Sequence, residues 1–107
     1  IESEDTLANI VRTEDNAKIR SIIFDKISDV DILRDIALNS DKADVRLDLV
    51  NKLDDEELLK EIAFNDYDEY VAFHAVERIK SKSILEDIAE SDRFIVSREA
   101  ERKLSEL

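Results

Sequence analysis

The chain has 107 residues, contains no Gly, Pro, Cys, Met or Trp, and carries 28 acidic against 16 basic residues for a formal charge of -12. Its length suits one domain or a short array of small units, and a hydrophobic fraction of 43% supplies material for a core, against simple disorder. The missing cysteines exclude disulfides, thiolate catalysis and zinc–thiolate sites, the missing glycines exclude a P-loop or dinucleotide fingerprint, and a single histidine cannot build a multi-histidine metal site.

Along the chain, Leu7, Ile10 and Val11 form a first apolar set, and Ile19, Ile23 and Ile27 a second. Both sets then recur with a step of 26 residues: Leu33, Ile36 and Ala37 with Val45, Leu49 and Leu53, then Leu59, Ile62 and Ala63 with Val71, Ala75 and Ile79. A fourth copy has Leu85, Ile88 and Ala89, with Val96, Ala100 and Leu104 arriving one residue early. The deletion falls between the two sets, where a turn belongs. Spacings of three and four fit a helix and not an alternating strand. Each unit therefore reads as two short helices. In the third unit these cover 56–64 and 69–80, around the break Asn65-Asp66-Tyr67-Asp68. Charge repeats as well: residues 1–29, 30–55, 56–82 and 83–107 each hold seven acids and four bases, so no acidic tail exists.

Helix starts are expected at Ser28, Asp41, Asp54 and Asp66, each followed three residues later by an acid that suits the first turn. For the stops, Asn39, Asn65 and Ser91 are expected to do the work that glycine does elsewhere. Such short helices are marginal alone, so each must be covered by its partner and by the next unit. The expected fold is all-α, one domain over 1–107 with units of about 3–29, 30–55, 56–82 and 83–107. Four antiparallel pairs, about eight helices, would stack as a right-handed α–α superhelix or solenoid.

The pattern Leu33, Ile36, Ala37, Asn39-Ser40-Asp41, Val45-Arg46, Leu49-Val50 and Leu53 resembles the HEAT-like repeat family in its short form. The first unit matches with Ile19-Arg20; Ala72 and Ser97 stand at the arginine position in the third and fourth. The resemblance implies a curved helical stack used for binding. It also implies an arginine–aspartate ladder, with Arg20 and Arg46 pairing to Asp15 and Asp41 or to neighbours one unit away.

Candidate functional residues are few. Phe64, Tyr67, Tyr70 and Phe73 gather four of the six aromatics in unit three, with His74 beside them. They suit either a satellite cluster over the turn or a patch that anchors a peptide or domain. His74 lacks a nucleophile or ligand partner in sequence and reads as a surface residue. The carboxylate pair Glu57 and Glu61 reads as a solvated face, and Asp66, Asp68 and Glu69 lack the glycine of a calcium loop. No catalytic, cofactor or metal residue is assigned.

The expected function is a non-enzymatic protein-interaction scaffold whose protein or peptide partner carries a basic surface, complementary to the charge of -12. A structural or regulatory segment of a larger enzyme is the alternative. Nucleic acid is disfavoured by repulsion, although Lys26, Lys52, Arg78 and Lys103 form one basic row at the repeat step. No stretch reaches membrane-spanning length and no signal peptide is visible, so a cytoplasmic location is expected. The terminal units lack dedicated caps and the chain starts at Ile1. An excised segment with further repeats or a flanking domain is therefore expected, or else end-to-end self-association.

Overall fold

A computed structural model describes residues 3–107. Eight α-helices follow in order: α1 Glu4–Thr13, α2 Ala17–Phe24, α3 Val30–Asn39, α4 Ala43–Val50, α5 Glu56–Asn65, α6 Glu69–Glu77, α7 Lys82–Ala89 and α8 Phe94–Ser105. Consecutive helices pack as pairs, α1 with α2, α3 with α4, α5 with α6 and α7 with α8. The chain forms two compact units, the first ending at Leu49 and the second spanning Val50–Leu107.

In the first unit α1 also packs on α3. The apolar rows bury Leu7, Val11, Ile23, Ile27, Ile36, Ala37, Val45 and Leu49. In the second, α5 packs on α7 and α6 on α8. There Ala75, Ile79, Leu85, Ile88, Val96 and Ala100 are buried. Leu58, Leu59, Ile62 and Ala63 of α5 and Ile84, Leu85 and Ile88 of α7 are the buried residues of these two helices.

The first helix of every unit has a side-chain N-cap at the same step: Ser3, Asp29, Asp55 and Ser81 each accept backbone N–H groups of the following turn. The expected starts Ser28 and Asp54 are thus one residue early. Asp66 is two residues early: its Oδ1 accepts from the Asp68 N–H at 2.9 Å, and Asp68 caps α6. A helix is capped by the residue whose own backbone is still extended, and the turn acid serves to deliver that residue.

Helix ends also differ from expectation. Among the described residues no φ is positive, so Asn39, Asn65 and Ser91 provide no left-handed stop. The backbone instead turns extended at Glu14, Ser40 and Asp66. Cationic and hydroxyl side chains then take the orphan carbonyls. Arg20 donates to the Glu14 and Asp15 carbonyls at 2.9 and 3.0 Å. Arg46 donates to the Ser40 carbonyl at 2.6 Å, and Ser97, at the same row, donates to the Ala89 carbonyl at 2.8 Å.

A longer period of two units overlies the short one. Glu4 and Glu56 each accept the backbone N–H groups of the linker that closes their unit, at Ser28 and Asp29 and at Lys80 and Ser81. Asn16 and Asp68 cap the second helices of the odd units. In the even units the matching residues, Lys42 and Arg93, reach back to the first helix of the preceding pair, bonding the Thr13 and Ala63 carbonyls.

Candidate functional site

The expected aromatic residues split across two elements and a turn. Phe64 is half-buried on α5, and Tyr67 is exposed in the α5–α6 turn. Tyr70, Phe73 and His74 lie on the outer side of α6. Helical spacing brings three of these rings into an edge-on series, with centroids 4.3 Å apart for Tyr70 and His74 and 5.7 Å for Phe73 and His74. His74 Nδ1 lies 3.1 Å from Glu77 Oε1, which orients the imidazole against the helix surface. Phe64 stands outside the series.

Phe73 opens from this series into a surface groove of about 440 Å³ between α6 and α8, lined by Phe73, Phe94, Ile95, Arg98, Glu99 and Arg102. Phe94 is 67% exposed at the first turn of α8. The preceding N-cap residue, Arg93, makes no side-chain cap bond; its guanidinium is drawn back to the Ala63 carbonyl and Glu69. One turn along, the Arg98 guanidinium sits 5.3 Å over the Phe94 ring, a cation–π arrangement. Among the described residues Arg98 has no carboxylate partner. Glu99 forms the buried floor, held by Arg102 through bonds of 2.9 and 2.6 Å. The Arg102 hydrogen bonds keep the Glu99 carboxyl below the ordinary glutamate range against the opposing effect of burial, and Glu99 and Glu106 in turn raise the guanidinium.

This arrangement offers a flat aromatic and aliphatic face with one uncommitted guanidinium. Phe94 and Ile95 were accessible to sequence reasoning through a signal it did not use. At their rows the other units carry Ala17, Ala43 and Glu69, and Lys18, Asp44 and Tyr70. A large apolar residue at a row that elsewhere carries alanine or a residue with a polar group marks an addition to the scaffold.

For Arg20 the carboxylate partner lies in the next unit and not in its own turn. The carboxylate that meets Arg20 is Asp48 on α4, at 2.5 Å, and not Asp15 or Asp41. Asp15 gives Arg20 its backbone carbonyl, while its carboxylate goes to Lys42 at 2.7 Å and lies below the ordinary aspartate range for that reason. Asp41 is exposed in the α3–α4 turn, and Arg46 is fully buried.

The basic row is likewise partly structural. Arg78 donates to the Leu53 carbonyl at 2.9 and 3.3 Å, and Lys103 Nζ to the Val76, Glu77 and Ile79 carbonyls at 3.2, 2.5 and 2.7 Å. Burial lowers the Lys103 ammonium from its usual range. Asp66, Asp68 and Glu69 are engaged in turn closure, capping and the Arg93 ion pair. Among the described residues no helix is long and apolar enough to cross a membrane.

No family model matches the chain, and neither a curated protein nor a solved structure is significantly similar to it.

Proposed function

We propose that this chain is a non-enzymatic protein-interaction module, a stack of HEAT-like helix pairs in right-handed array whose α6–α8 groove receives a peptide or the edge of a partner domain. The observation that carries the reading is the exposed Phe94–Ile95 face with Arg98 laid over it. A partner side chain of aliphatic or aromatic type covers the ring, and a partner carboxylate meets the guanidinium. The charge of -12 favours a partner whose remaining surface is basic. Long-range attraction and the local contact then ask for opposite charges on one partner, a combination that confers selectivity.

A displayed peptide library panned on the parent and counter-selected on the F94A/R98A double variant tests this. Enriched peptides should combine an apolar anchor with an adjacent acid, bind the parent, and lose at least about tenfold in affinity on the variant, the loss of a modest hot spot. Phe94 and Arg98 are exposed, so the variant should keep the parent's helical signal. Peptides that bind parent and variant alike, or a library yielding no binder, would refute the groove as the site.

A further inference from the structure

The repeat step allows each surface of the first helix pair to be compared with its counterparts. Ile36, Val45, Ile88 and Val96 are all fully buried, yet Ile10 and Ile19, on the same two rows, are 42% and 44% exposed. Ile22 beside them is exposed too. In the second compact unit the cover over Ile88 and Val96 comes from the pair before them, through α5 on α7 and α6 on α8. The outer face of α1–α2 thus presents the surface that elsewhere receives a preceding pair.

A second feature of this face specifies what fits it. Arg78 and Lys103 each bond carbonyls at or just past the end of the preceding second helix, Arg78 that of Leu53 in the linker after α4 and Lys103 those of Val76, Glu77 and Ile79. Lys26 occupies the same row and is exposed, and its ammonium has no hydrogen-bond or ion-pair partner among the described residues. The 25-residue step from Arg78 back to Leu53 leads from Lys26 to Ile1. Ile1 falls in sequence on the row of Ile27, Leu53 and Ile79, the apolar position two or three residues past the end of a second helix.

We infer that Ile10, Ile19, Ile22 and the Lys26 ammonium form a docking surface for a further helix pair of this same repeat, one whose second helix ends two or three residues before the row of Ile1. The isoleucines seat the apolar side of that pair, and Lys26 caps its terminal carbonyls. A second copy of this chain fits less well. Its trailing face carries Glu101 on the row where Phe24, Val50 and Val76 are buried, and sealing that carboxylate against isoleucine leaves a charge without solvent.

The test lengthens the chain at its start. Residues 54–78, or in a second version residues 28–52, are placed directly before Ile1, which preserves the 26-residue register in both. Helical signal should rise, and the Ile10, Ile19 and Ile22 methyl groups should lose their relaxation by a soluble paramagnetic agent. The melting temperature should rise by at least about 4 °C, a modest gain for a domain of this size. I19E and K26Q should each erase much of that rise in the longer chain, while shifting the 107-residue chain by no more than about 2 °C, as exposed positions do. The inference is overturned if neither added segment becomes helical, or if it does so with the three methyl groups still accessible. It is also overturned if the 107-residue chain dimerises with concentration and I19E abolishes the dimer, since the occupant is then a second copy.

Discussion

Replacing Arg20 by methionine isolates the energetics of the helix-end clamp. The guanidinium is buried and donates to three oxygens: Asp48 Oδ2 at 2.5 Å and the carbonyls of Glu14 and Asp15 at 2.9 and 3.0 Å. Methionine keeps most of the aliphatic stem and removes every donor. A hydrogen bond from a charged group contributes about 1.5–3 kcal/mol, but water recovers part of the loss wherever it can reach the acceptor. The Asp48 side chain retains 25% exposure, so it is partly rehydrated, whereas the helix-end carbonyls depend on the clamp. Breaking a buried pair from one side costs about 3–5 kcal/mol, and the partial access here places R20M near the lower end, at about 3 kcal/mol. With a urea slope of about 1.5–2 kcal/mol/M for a small domain, the midpoint should fall by about 1.5–2 M. D48N leaves both carbonyl bonds and a neutral acceptor, and should cost only about 1 kcal/mol. Urea unfolding followed by far-ultraviolet circular dichroism measures both. An R20M loss below about 1 kcal/mol would refute the reasoning. A D48N loss equal to that of R20M would place the energy in the ion pair and remove the carbonyl clamp from the account.

Two further outcomes follow from single groups. The Ser40 hydroxyl is buried with no hydrogen-bond partner, while Glu14, Asp66 and Ser91 on or beside its row each accept from the residue two ahead. Ser40→Ala should therefore raise stability by about 0.5–1 kcal/mol, and a loss in thermal unfolding would contradict this. Glu4 is held below the ordinary glutamate range chiefly by the Asp29 backbone N–H, and Glu99 by Arg102. A depressed folded value means the unfolded chain binds the proton more readily. Their stabilisation is thus complete above the ordinary glutamate value and is withdrawn as pH falls through the depressed values. E4Q and E99Q should each lower stability near neutrality and flatten its fall on acidification; a parallel acid limb in both variants would show that these carboxylates do not govern it.

The helix order, the pairing of consecutive helices and most buried positions were legible because the apolar rows repeat at one step, and a repeated spacing separates helix from strand. The capping residues were less so. Ser28, Asp54 and Asp66 satisfied a spacing rule, but that rule cannot tell which nearby polar residue immediately precedes the first helical turn, and Asp29, Asp55 and Asp68 do. Ser3, Asp29, Asp55 and Ser81 nonetheless recur at the same step as the isoleucines, so the period itself held the answer. The exposure of Ile10 and Ile19 lay beyond pattern reading, since a row assigns a face and not the neighbour that covers it. At the candidate site, Phe73 was singled out by the aromatics gathered around it, whereas its groove partners Phe94, Ile95 and Arg98 stand in another unit with no such gathering.

The clamps at the helix ends also bear on how the array comes apart. Where glycine ends a helix, the stop is local and survives the loss of neighbours. Here the carbonyls of α1, α5 and α6 are bonded by Lys42, Arg93 and Lys103, each supplied by the following pair. Within each compact unit, a pair that melts strips the end of the one before it. In nearest-neighbour language the coupling between adjacent pairs is raised at the expense of the stability of each alone. Partly melted species should therefore be scarce within each unit.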